Sequence, residues 1–222
     1  MTTSLAIYSL MAALVWRGQG AGPFGLANTV TALRGGMIAV LPALVVTPQP
    51  LGPILAWSII GFGLAALALD GVDGQIARKR NEASDFGASF DMEVDAAYVL
   101  FLSGLAATSG RAGAWILLAG LMRYLWVAAA AAWPALRRPL PPSLLRKSVC
   151  VIVLLLLLSA LVPIIPSSWA ALPCALALAL LLVSFGRDLV WLMRRAGMAA
   201  AAPSHILRSA AVYDGCPQVE SE

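Results

Sequence analysis

Six runs of the chain are apolar for long enough to cross a bilayer, at 28–46, 51–71, 88–109, 112–133, 147–165 and 168–192. A span needs about 20 such residues. The breaks between them read TPQPLGP, RKRNEASD, TSGRAG, WPALRRPLPPS and VPIIPSSW, all rich in residues that turn or stop helices. The pattern predicts an all-α integral membrane protein with six transmembrane helices over residues 24–195. Ahead of them, Leu5–Trp16 is apolar but short for a span. Its flank carries no basic residue before the apolar stretch, which argues against a cleavable signal peptide. Residues 1–23 therefore read as a short interfacial or re-entrant helix, and 196–222, without a sustained apolar period, as a flexible tail.

Composition supports this reading. The chain is 60% apolar and 12% charged over 222 residues, where soluble domains are about 45–50% and about 25%. One bundle fills that length, with no room for a separate soluble domain. Charge then orients the bundle. With the N-terminus inside, thirteen of the fifteen basic residues fall on one side, Arg111 alone falls on the other, and Arg123 lies within the fourth run. The positive-inside rule puts both termini on the cytoplasmic side. The net charge of +4 thus reflects basic loops, and no nucleic-acid partner is expected. A single histidine, His205, in the tail argues against histidine-based catalysis or His-ligated metal. Cys150, Cys174 and Cys216 lack zinc-like spacing and read as packing or bystander residues.

The unusual feature is LDGVDGQIARKRNEASDFGASFDMEVDA, which starts at Leu69 and holds seven of the eleven acidic residues. Read helically, Asp70, Asp73, Gly74 and Ala77 share one face at the end of the second run. Gly87, Asp91 and Asp95 share one at the start of the third, while Glu93 points elsewhere. Folding back at the polar turn ARKRNEASD, where Ser84 or Asp85 can cap the third helix, makes the two acidic faces meet. Four carboxylates beside lipid repel one another and are costly to desolvate. Hard divalent cations, Mg²⁺ or Mn²⁺, compensate, and Mg²⁺ typically joins a few carboxylates to substrate phosphates. The small residues Gly74, Ala77 and Gly87 leave room for a ligand, and Arg78 can meet a phosphate. Taken singly, each glycine or alanine also fits close helix packing. The acid spacing is not that of an EF-hand.

From Asp70 to Asp95 the chain reads D-x2-D-G-x2-A-R-x8-G-x3-D-x3-D, which resembles the signature of the CDP-alcohol phosphotransferases at every specified position. ANTVTALR, Ala27 to Arg34, is similar to the segment that opens the first helix in that family. The resemblance implies a membrane enzyme of phospholipid synthesis that passes a phosphatidyl group from CDP-diacylglycerol to a small alcohol and releases CMP. It implies two divalent ions held by Asp70, Asp73, Asp91 and Asp95, with Asp95, beside Asp91, also the catalytic base. Gly74, Ala77, Arg78 and Gly87 would surround the cytidine diphosphate, together with Asn28 and Thr31. It also implies a homodimer, and the size suits a prokaryotic inner membrane with the active site facing the cytoplasm.

For the acceptor, Arg123 resembles a basic residue used near an acceptor phosphate on the fourth helix of family members. An ion pair with an acid, or snorkelling, are its alternatives. Lys147, Arg146 and Arg137 are further candidates, with Lys147-Ser148 standing where relatives often carry Lys-Thr. Ala96 stands where phosphatidylglycerophosphate synthases commonly have Lys, and LLRKSVCVIV lacks the longer Gly-Lys-x-Lys-Thr-x-x-Gln pattern. The resemblance therefore stops at the family. Transfer from a soluble CDP-alcohol to a lipid acceptor is the alternative within it. A divalent-cation transporter is the rival outside it, weakened because the acids gather at one membrane edge.

Overall fold

The structure, a computed structural model, describes residues 26–46, 51–80, 85–138 and 143–201. The N-terminal helix expected at 1–23 and the tail from 202 lie outside them. The described residues form helices and turns, with no strand among them. In chain order the helices are α1 (Leu26–Ile38), α2 (Leu41–Val46), α3 (Pro53–Arg80), α4 (Asp85–Thr108), α5 (Leu117–Ala132), α6 (Leu144–Ala160) and α7 (Ser167–Ala201). Single 3₁₀ turns, Ala114–Ile116 and Pro134–Arg137, flank α5. Thr29–Val46, Pro53–Gly71, Ala114–Ala132 and Ser167–Arg195 are long and apolar enough to cross a membrane. α4 and α6 supply the other two of the six expected helical runs.

Two boundaries depart from the apolar pattern. The first run is two helices, because Pro42 lacks the N–H that would bond to Ile38, and the chain turns at Ala39–Val40. The second helix runs on to Arg80, nine residues past the end of its apolar segment. Nothing in DGVDGQIARKR breaks a helix outright, and its basic end suits the negative pole of the helix dipole. The connection to the next helix, 81–84, lies outside the described residues.

The expected turn at TSGRAG is a helix cap. Gly110 takes φ 69°, and the N–H of Arg111 donates to Ala106 (2.9 Å) while that of Gly110 donates to Ala107 (3.2 Å). This is a Schellman motif, which needs a residue tolerant of the left-handed region at that position. Arg111 Nη1 then donates to the carbonyl of Ile165 at 2.6 Å. The α4–α5 and α6–α7 connections are therefore tied at the same end of the bundle.

α4 is the central element, touching α1, α2, α5 and α6. Val94, Tyr98, Val99, Leu102 and Leu105 pack with Leu154, Leu157 and Leu158 of α6 in one core. The outward faces are apolar too, with Ile54 86%, Phe62 66% and Val183 70% exposed, as lipid-facing surfaces must be. The helix with the most acids thus has protein on several sides, where charged groups are tolerated. Gly120 lets α5 approach α4 closely. A Cβ there would collide with the backbone of Leu100 and lie 2.6 Å from Ser103 Oγ. Gly120→Ala is expected to cost about 1–2 kcal/mol after its gain in helix propensity, seen as a lower midpoint of thermal unfolding in detergent. Gly61→Ala, with nothing within 4 Å, is expected to show no loss.

Candidate active site

Three helices bring charge to one place. α1 contributes Arg34, α3 Asp70, and α4 Asp91 and Asp95 one turn apart. One carboxylate oxygen from each aspartate lies within 4.8 Å of the others. Arg34, 1% exposed, sits among them: Nη1 donates to Asp70 Oδ1, and Nη2 to Asp91 Oδ1 (2.5 Å) and Asp95 Oδ1 (2.9 Å). The carboxylates are a quarter to a third exposed, so the cluster opens on one side. Asp95 Oδ2 accepts from the Cys150 thiol at 3.5 Å.

With all three aspartates ionised, one guanidinium leaves two negative charges uncompensated. The donor set is all carboxylate oxygen, which is the chemistry that hard divalent cations select. The residues therefore fit such an ion, and Asp70, Asp91 and Asp95 can hold it.

Gly87 lies four residues before Asp91 on the same face of α4, half-buried. Thr31 is buried one turn before Arg34 on α1. Asp73, Gly74, Ala77 and Arg78 follow Asp70 on the last turns of α3, and Asn28 is in α1; their side chains lie outside the described residues. Glu93 is not in the cluster but pairs with Arg123 at 2.7 Å. The other acceptor candidates divide as well. Arg137 donates to the carbonyls of Ala130 (2.8 Å) and Ala131 (3.0 Å), closing the end of α5. Arg146 pairs with Asp188 of α7 at 3.5 Å. Lys147 lies within electrostatic reach of Asp91.

Sequence reasoning counts Arg34 among the cytoplasmic basic residues and Cys150 as a packing or bystander residue. The signal for Arg34 was present: it is a charge inside an apolar run, one helical turn after Thr31. Cys150 carried none, since its neighbour Asp95 is 55 positions away.

The profile of the CDP-alcohol phosphatidyltransferase family matches residues 24–184. The chain belongs to that family. Neither curated proteins nor solved structures yield a match. The matched segment contains Arg34, Asp70, Asp91 and Asp95, so the charge cluster lies inside the part of the chain that the family profile covers. The chain is accordingly a membrane protein of a transferase class that moves a phosphatidyl group from a CDP-alcohol.

Removing Arg34 would leave three carboxylates crowded without their counter-ion. Arg34→Gln is expected to cost about 3 kcal/mol, the low end for a broken buried pair because the acids are partly exposed. The unfolding midpoint in EDTA should fall by several degrees, and Mg²⁺ should recover more of the loss than K⁺ at equal ionic strength.

Proposed function

We propose that the protein transfers the phosphatidyl group of CDP-diacylglycerol to a small alcohol, releasing CMP, as a step of phospholipid synthesis. The observation that carries this reading is the convergence of Asp70, Asp91 and Asp95 within 4.8 Å, in a membrane chain of this family. Asp70, Asp73 and Asp91 are assigned as metal ligands and Asp95 as the base, with a share in the second ion. Held by these carboxylates, Mg²⁺ or Mn²⁺ would supply positive charge to the diphosphate and to the departing CMP. The acceptor hydroxyl forms its new bond to the β-phosphorus as the bond from that phosphorus to the CMP oxygen breaks. Asp95 accepts the hydroxyl proton. Gly74, Ala77, Arg78, Gly87, Asn28 and Thr31 are assigned to the cytidine diphosphate.

The partners just described rank the acceptor candidates. Arg123, Arg146 and Arg137 each have a structural bond, whereas the exposed Lys147 adds positive potential at Asp91. Lys147 is therefore the first choice to meet an anionic, phosphate-bearing alcohol. The reading includes six crossings, a homodimer, and both termini and the site facing the cytoplasm of a prokaryotic inner membrane. Arg111 at the opposite end of the bundle, against basic residues near the site, supports that orientation. A cation path finds less support, because Asp188, the described acid on α7, is engaged by Arg146.

Purified protein in detergent is expected to release CMP from CDP-diacylglycerol with Mg²⁺ or Mn²⁺ and one alcohol of a panel. EDTA should abolish release, and Asp91→Asn should lower kcat by at least about a hundredfold. Lys147→Ala should raise KM for the acceptor with little change in KM for the donor. Failure of the protein to bind any CDP compound would refute the reading.

A further inference from the structure

Arg146 of α6 bonds to Asp188 of α7 at 3.5 Å, and Cys150, one turn after Arg146, bonds to Asp95. The stretch of α7 around Asp188 therefore lies at the carboxylate end of the bundle. There α7 carries a pocket of about 330 Å³ lined by Gly186, Arg187, Val190, Trp191 and Arg194. Its depth follows from helix length. The apolar segment Ser167–Arg195 is 29 residues long, whereas about 20 cross the hydrocarbon core. With Ser167 at one edge of that core, Arg187 stands at the other, and Arg194 lies about 10 Å farther out, at the level of the lipid headgroups.

Val183, Arg187, Val190 and Arg194 recur at offsets of four, seven and eleven and share one face of α7. That face is turned to lipid, with Val183 70% and Val190 50% exposed. Arg187 and Arg194 are exposed on it too, and neither pairs with an acid among the described residues. Asp188, the described acid on this helix, is engaged by Arg146. Arg195 stacks over the Trp191 ring at 4.5 Å and adds a third positive charge at the same level. The pocket's lining is nevertheless almost entirely apolar, because an arginine lays its carbon stem along a wall and carries its guanidinium to the rim. A carbon floor beneath a rim of guanidiniums is amphipathic.

We propose that this pocket binds the headgroup of an anionic phospholipid, its phosphodiester held by Arg187 and Arg194 and its glycerol carbons resting on the apolar floor. Charge complementarity selects the occupant. Guanidiniums suit phosphate oxygens, which they meet with paired donors. A free phosphate ion would meet the arginines but leave the carbon floor uncovered. A zwitterionic lipid would bring its own cation against three arginines. An anionic lipid satisfies both the rim and the floor, and its acyl chains continue along the exposed face that Val183 marks. None of the lining residues belongs to the carboxylate cluster, so this lipid is a resident of the bundle beside the reaction centre, whatever reaction that centre performs.

The test titrates the full chain, in neutral detergent with EDTA, with dioleoyl phosphatidylglycerol or dioleoyl phosphatidylcholine and reads apparent affinity from the rise in unfolding midpoint. Phosphatidylglycerol should raise the midpoint, phosphatidylcholine should not, and dissolved glycerol 3-phosphate should not reproduce the rise. Arg187→Gln and Arg194→Gln, at exposed positions that folding does not need, should each weaken phosphatidylglycerol about fivefold. Gly186→Leu fills the pocket from a position where a Cβ meets nothing within 4 Å. It keeps every charge and should weaken the lipid by at least about fivefold. Asp91→Asn should keep the wild-type response. Equal rises with both lipids, or an equal rise with glycerol 3-phosphate, would overturn the proposal. So would an intact response in Gly186→Leu, which would leave only diffuse attraction to the arginines, or, if that variant also lost an oligomer, would give the pocket to a second copy of the chain. A response lost in Asp91→Asn and kept in the arginine variants would move the lipid to the carboxylates and overturn it as well.

Discussion

A guanidinium held by three carboxylates organises the site end of the bundle. Arg34 reaches Asp70 on α3 and both Asp91 and Asp95 on α4, so three helices are joined through one side chain. Four separate charges in this position would each be expensive; together they are a compact group with a residual negative charge. That residue of charge makes the site both possible in a membrane protein and receptive to a cation. A hydrophobic replacement would pack, but it would leave nothing for a phosphate-bound ion to meet.

The rest of the architecture serves that group. α4 must carry two of the acids, and its central position surrounds them with protein, while lipid-facing duty falls to α3, α5 and α7. Close approach at Gly120 keeps α5 against it. The remaining arginines near the site find other partners: Arg123 takes Glu93 and Arg146 takes Asp188. Each such pair removes a competitor for the clustered aspartates.

Much of this was legible in the sequence because its signals are local. The six apolar runs became helical runs, and helical offsets alone put Asp91 with Asp95 and left Glu93 out. The meeting of Asp70 with α4 required only a short turn between two acidic faces. What stayed hidden depended on distance along the chain. Arg34 lies 36 positions from Asp70, and a count of charges by side gives no hint of which one turns inward. The Cys150 contact arises from the packing of several helices, for which period and composition carry no register. The break at Pro42 was written in the chain, yet a run of apolar residues masks it when length alone is weighed.

The bond from Arg111 to Ile165 has a mechanical meaning. It clasps two connections at the end of the bundle remote from the carboxylates, so the turns it joins travel together. The bundle is thus fastened at both ends by different ties: a hydrogen bond to a neutral carbonyl here, and ion pairs (Arg34 with three aspartates, Arg123 with Glu93, Arg146 with Asp188) toward the carboxylates. Dissolved salt screens the ion pairs far more than the carbonyl bond, so rising ionic strength loosens the end with the acids first.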